Sequence, residues 1–179
     1  MTADPARTAG PAGDDSLPGP GLTWGLKRSF IRYISRLPDG GHRETDGASL
    51  THGSFFTFEP ADGSTYDPST GTGVLKFRGD VRLTGHHNML FVMIADPWIA
   101  LDGGAGVLSV IDSRHWPDRD RRIPLATLTL GAPAVSGAGY VWGETPAYLS
   151  EEGQAVFNEQ YAAGEELDPV FVVYPTRQR

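Results

Sequence analysis

Hydrophobic residues in this chain form one helical stripe near the N-terminus, followed by a long series of short runs with a period of two. Leu26, Phe30, Ile34 and Leu37 recur at i, i+4, i+8 and i+11, which at 100° per residue gathers them on one face. The spacing predicts a short amphipathic helix with Thr23 as its N-cap and Pro38-Asp39-Gly40-Gly41 as its terminator. Strand-prone runs follow at Gly53–Glu59, Gly73–Arg78, Asp80–Thr84, Met89–Ile94, Trp98–Leu101, Gly106–Asp112, Ile123–Leu130 and Pro169–Tyr174, each bounded by turn residues. In Val74-Leu75-Lys76-Phe77, Val107-Leu108-Ser109-Val110 and Ala126-Thr127-Leu128-Thr129-Leu130 the residues alternate, so one face of each strand is expected to be buried and the other wet.

No helices alternate with these strands, which predicts an antiparallel sandwich or barrel. A second helix is expected from Ser150, an N-cap candidate with Glu151 and Glu152 in the first turn near the positive end of the dipole and Gly164 beyond the C-terminus. The charged stretch from Asp112 to Arg122 breaks the rhythm and reads as a solvated hairpin tip, with Trp116 at a pocket rim. The expected fold class is mainly β, or α+β by count: one antiparallel β-sandwich or barrel-like domain over residues 22–176 with two short α-helices. Residues 1–21, rich in Pro, Gly, Ala and Asp, are expected to be a disordered tail.

Composition narrows the function. A net charge of -7 argues against nucleic-acid binding, because nothing in the chain neutralises an extended phosphate backbone. The absence of cysteine excludes disulfides, thiolate metal sites, Cys nucleophiles and covalent c-type haem attachment. The five histidines, His42, His52, His86, His87 and His115, include no pair at the i, i+4 spacing of a helical zinc site. Neither a signal peptide nor a run of bilayer-spanning length is read in the chain, so membrane insertion is not expected and the expected location is cytoplasmic.

The helix carries the candidate chemistry. Ser29 and Tyr33 stand one turn apart on an edge of the apolar stripe, and Arg28, Arg32 and Arg36 continue round the same side. A phenol, a hydroxyl and a row of guanidinium groups suit a flat apolar ligand carrying carboxylates. The same residues also suit an ordinary amphipathic helix with a tyrosine at its margin and a solvated Arg face, and the helix alone favours that ordinary reading.

Three pieces in order resemble the haem-transport-associated (HtaA-type) domain of actinobacterial haem-uptake proteins. They are Trp24-Gly-Leu-Lys-Arg-Ser29-Phe-Ile-Arg-Tyr33, the central Gly85-His86, and Leu149-Ser-Glu-Glu-Gly-Gln-Ala-Val-Phe157 with Leu167-Asp168-Pro169-Val170. The resemblance implies a β-sandwich-like domain holding ferric haem b through a Tyr phenolate, with a His hydrogen-bonded to that Tyr and a Ser at a propionate. Residue by residue, these roles fall on Tyr33 as the axial iron ligand, His86 and Ser29. Independently of the resemblance, Arg32 or Arg36 beside Ser29 suits the propionates through charge-assisted hydrogen bonds. His87 is a weaker candidate, because neighbours in a strand face opposite sides and only one of the two histidines can point at the pocket. The chain departs from the family pattern at His87, Asn88 and Met89, where small or acidic residues are usual. Met89, Phe91 and Trp98 are read as core positions in preference to pocket lining.

The function expected on these grounds is a non-enzymatic haem carrier, buffer or relay. Haem and other haem-transfer proteins are its expected partners, and the oligomeric state is left open, a homodimer included. One alternative is a peroxidase- or catalase-like enzyme using the same Tyr-ligated haem, with His87, His115 or Arg114 as the distal group. The other is a cofactor-free β-sandwich interaction domain.

Overall fold

In a computed structural model, which describes residues 18–176, the strands close into a barrel. Strand β1 (Gly21–Trp24) leads into helix α1 (Arg28–Arg36), and the strands β2 (Gly41–Thr45), β3 (Ala48–Thr51) and β4 (Phe55–Pro60) follow. Next come β5 (Thr72–Arg78), β6 (Asp80–Gly85), β7 (Leu90–Ala95), β8 (Trp98–Asp102) and β9 (Ala105–Ile111). The chain ends with β10 (Arg122–Thr129), β11 (Ala134–Ser136), β12 (Gly139–Leu149) and β13 (Glu166–Tyr174).

Strand β1 pairs with both β13 and β4, and the end of β4 pairs with β5. The ring β1-β13-β12-β10-β9-β8-β5-β4 therefore closes on itself, with β3 added outside β4 and β11 outside β12. Closure leaves these ring strands paired on both sides along part of their length. A separate sheet, β2-β6-β7, carries the hairpin that matters for the site. Gly79 lets the chain pass from the ring to this sheet: its φ is +144°, and a Cβ there would lie 2.6 Å from the Ala48 backbone nitrogen.

The predicted alternation is realised. Leu75, Phe77, Leu108, Val110, Ala126, Leu128 and Leu130 are buried, while Val107, Thr127 and Thr129 are exposed. They belong to one core that also holds Trp24, Phe56, Phe58, Ile99, Trp142 and Phe157. Trp98 is half-buried, its ring lying between Lys76 Nζ at 4.1 Å and the Arg122 guanidinium at 4.0 Å. Burial pushes the Arg122 pKa down to about 10, which leaves it charged at neutral pH. Among the described residues, no helix is long and apolar enough to cross a membrane.

The structure differs from expectation in several places. Thr23 does not cap α1: it lies in β1, buried, with its hydroxyl bonded to that of Thr57 at 3.0 Å. The Leu26 end of the apolar stripe precedes the helix, in a left-handed residue with φ 57° that is nonetheless fully buried. The helical segment after Ser150 is a 3-10 helix over Glu152–Phe157, and Ser150 Oγ accepts the Gly153 N–H at 2.8 Å as a cap would. Strands β1, β2, β3, β11 and β12 carry no clear period in the sequence. In β12 the register shifts between Trp142 and Thr145 and between Thr145 and Ala147, and Trp142 falls out of step with the buried Thr145, Ala147 and Leu149. Met89 and Phe91 are not core: Met89 belongs to the turn before β7 and is 85% exposed, and Phe91 lies on the outer face of β7 at 37%. The first strand starts at Gly21, inside the stretch expected as a tail, and residues 1–17 of that stretch lie outside the described residues.

Candidate functional site

Helix α1 is fixed to the barrel by its N-terminal end. Phe30 packs edge-on against Phe157, with centroids 5.7 Å apart, and against Tyr161 at 6.1 Å, while Ile34 is buried one turn later. Lys27, at the N-cap position, offers no side-chain cap. The cap comes instead from β13: Asp168 Oδ1 accepts the Arg28 backbone N–H at 3.3 Å. Asp168 Oδ2 has no aligned hydrogen-bond donor and is compensated as an ion pair by Arg28 Nε at 2.6 Å. The Asp168 backbone is tied down as well, its carbonyl accepting Trp24 Nε1–H at 2.7 Å and its N–H donating to Leu26 O at 2.9 Å. The Leu167-Asp168-Pro169-Val170 motif thus docks the helix.

The other end of the helix presents the phenol. Tyr33 is 44% exposed, and its Oη lies 2.6 Å from His86 Nε2, with the rings 6.0 Å apart and tilted by 47°. His86 stands in the turn joining β6 and β7, which the Met89 N–H closes on the His86 carbonyl at 3.1 Å. His86, His87 and Asn88 all have left-handed backbones, with φ of 50°, 56° and 64°. Strand alternation therefore does not govern the two histidines, because neither is in a strand. The side chains of His86 and His87 are both exposed, and it is His86 that meets Tyr33.

Sequence reasoning missed the residue beneath this turn. Asp39, just after the helix, accepts the backbone N–H of His86 at Oδ1 (3.2 Å) and of His87 at Oδ2 (2.6 Å). Those two N–H groups, led by that of His87, hold the Asp39 carboxyl below the usual carboxylate range against the opposing effect of desolvation. In the sequence Asp39 reads as part of a helix terminator, and nothing there joins it to residues almost fifty positions on.

Ser29 lies on the same helix one turn before Tyr33. Burial raises the Tyr161 pKa, opposed by the Lys27 charge and the nearby Ser29 hydroxyl. Ser29 and Arg32 line a hollow of about 610 Å³ together with Lys27, Arg28, Ser35 and Ser54. Arg36 is exposed in the last turn, where a cation complements the negative end of the helix dipole. Among the described residues, neither Arg32 nor Arg36 forms an ion pair in the structure. Of the other distal candidates, Arg114 and His115 are engaged with Asp112, at 2.8 and 3.1 Å, in the β9–β10 hairpin. Trp116, in the same hairpin, lines a small hollow of about 160 Å³ with Arg43, Asp80 and Arg82.

The arrangement is a solvent-accessible phenol paired with an imidazole that can take its proton, set beside exposed apolar and cationic side chains. The HtaA family model matches residues 19–173, almost the whole described chain. The chain belongs to the HtaA family. It is similar to the C-terminal domain of HtaA from Corynebacterium glutamicum, at 27% identity and a TM-score of 0.69 over 86% of this chain and 95% of that one. The N-terminal domain of the same HtaA protein is 26% identical with a TM-score of 0.67, over 87% and 96%. The haem-binding protein HtaB of that organism shares the fold, at 22% identity and a TM-score of 0.63 over 84% and 89%. No curated protein matches the chain.

Proposed function

We propose that this chain binds ferric haem b and carries, buffers or relays it, with Tyr33 as the residue that would supply an oxygen donor to its iron. The observation that carries the reading is the 2.6 Å contact between Tyr33 Oη and His86 Nε2 on an exposed helix edge. Membership of the HtaA family and the shared fold with a haem-binding protein support it. Haem supplies a hard ferric centre, a flat apolar face and two propionates. The residues present fit such a group.

A phenol ordinarily ionises near pH 10, so its oxygen is a good anionic donor only where a cation and a proton acceptor favour the phenolate. His86 is that acceptor: its Nε2 takes or shares the phenolic proton. Met89 and Phe91, apolar and exposed beside the His86 turn, offer contact for the macrocycle. Ser29, Arg32 and Arg36 supply hydroxyl and guanidinium donors for carboxylates, and guanidinium–carboxylate bonds are the stronger kind. An anionic oxygen ligand favours the ferric over the ferrous state, so returning the proton from His86 to Tyr33, or reducing the iron, loosens the hold.

Titration of the purified chain with hemin tests the proposal, with a high-spin ferric spectrum expected at one equivalent. The loaded protein is expected to release haem to apomyoglobin, faster after dithionite, and to turn over peroxide no faster than free hemin. A spectrum identical to that of free hemin would end the haem reading. Tyr33-dependent peroxide turnover with haem retained through reduction would replace the carrier by an enzyme.

A further inference from the structure

We propose that Asp39 is the positioning residue that sets the His86 ring against Tyr33, acting through the backbone of the β6–β7 turn. This rests on the reading of Tyr33 and His86 as a working pair, and the first measurement below needs no haem.

A turn of three successive non-glycine residues in the left-handed region is costly, because each Cβ crowds its own backbone, and such residues ordinarily occur singly. His86, His87 and Asn88 form such a run. The turn's own hydrogen bond, Met89 N–H to His86 O, does not account for the N–H groups of His86 and His87. Both are taken by the two oxygens of one carboxylate, Asp39. A carboxylate suits this place because it accepts at both oxygens and donates at neither.

The carboxylate is itself fixed to the helix that carries Tyr33. The chain after α1 turns tightly, with Leu37 N–H donating to Ile34 O at 3.0 Å and Gly40 N–H to Leu37 O at 3.2 Å. A Cβ at Gly40 would lie 1.9 Å from the Ile34 carbonyl oxygen, so glycine there allows the close return. On the other side, a Cβ at Gly85 would lie 2.6 Å from Leu37 Cδ1, so the end of β6 also abuts the helix terminus. The path from Tyr33 through the helix end, Asp39, the His86 backbone and the His86 ring returns to Tyr33. Asp39 is the link in that circuit that joins the helix to the turn.

Asp39→Asn keeps the side-chain size but sets an NH2 group against a backbone N–H. In the haem-free full chain, NMR of the His86 ring nitrogens is expected to shift in D39N toward the values of Y33F, where the ring has lost its partner. In the hemin-loaded protein, D39N is expected to speed haem loss about tenfold, the scale of one charge-assisted hydrogen bond, and to add nothing to H86A in the double variant. A second variant, D39N/N88G, is expected to recover part of the slow release, because glycine occupies the left-handed region without cost. Its melting point, with that of D39N, separates loss of position from loss of fold. Wild-type His86 resonances in folded D39N, or additivity of D39N with H86A, would overturn the proposal. Indistinguishable hemin binding by wild type and Y33F would defeat the reading of Tyr33 as the iron ligand, while the haem-free spectra would still decide the role of Asp39.

Discussion

Each end of helix α1 is tied to a distant part of the chain through one carboxylate, and the two are built for different purposes. At the N-terminal end, Asp168 is half-buried, paired with Arg28, and locked through its own backbone to Trp24 and Leu26. Phe30 packs on Phe157 and Tyr161 just beyond it. At the C-terminal end, Asp39 is exposed, meets only backbone N–H groups, and supports a turn of left-handed residues whose imidazole touches an exposed phenol. One carboxylate is reinforced by an ion pair and aromatic packing, while the other makes backbone hydrogen bonds only. A helix fixed at one end can hold Tyr33 in place while the groups around the phenol remain free to give way, as binding regions generally do.

The comparison predicts that variants at the two ends separate binding from stability. The largest effect is expected from Tyr33→Phe, which removes the anionic donor: the high-spin ferric spectrum at stoichiometric hemin should disappear, with the denaturation midpoint unchanged. An unaltered Soret and charge-transfer band would show that the ligand lies elsewhere. Next is His86→Ala, which removes a charge-assisted hydrogen bond of about 1.5–3 kcal/mol, so hemin affinity should fall by roughly one to two decades without being lost. Wild-type affinity and off-rate in that variant would remove His86 from the site.

Asp168→Ala should show the opposite pattern. Loss of the helix cap should cost about 1–2 kcal/mol in urea denaturation, while hemin affinity of the folded fraction stays near wild type. A large loss of affinity at full stability would mean that the anchored end also shapes the ligand site.

The smallest effect lies away from both ends and calibrates them. Bonds from Arg114 and His115 hold Asp112 down from 3.8 to about 2. With its folded value below its unfolded one, Asp112 stabilises the protein above about pH 4, and the contribution is lost as the pH falls through about 2. Urea midpoints measured across that window should therefore fall less steeply with acid in Asp112→Asn than in the wild type. Identical profiles would show that the Asp112 carboxylate is not what the hairpin loses in acid.

The sequence revealed much of the fold where a strand buries one face and wets the other. Strands β5, β9 and β10 show this, because a period of two survives in their residue types. It failed at β12, where an irregularity puts Trp142 out of step with the buried Thr145, Ala147 and Leu149, and at β1, whose four residues are all buried and give no alternation. The site was legible in the same partial way. Ser29 and Tyr33 share a helix, so their spacing placed them on one edge, and the family resemblance pointed to His86.

By itself, then, the sequence determined the local elements and the chemistry carried on each: a helix edge with a phenol and guanidinium groups, a Gly-His turn, and strands with one apolar face. These follow from propensity and periodicity, which act over a few residues. Only the tertiary structure decided that Asp168 caps the helix, that Asp39 clamps the histidine turn, and that Met89 and Phe91 face solvent. Each depends on barrel closure and on the passage to the second sheet at Gly79, which bring together groups far apart in the chain, and no local pattern encodes such contacts.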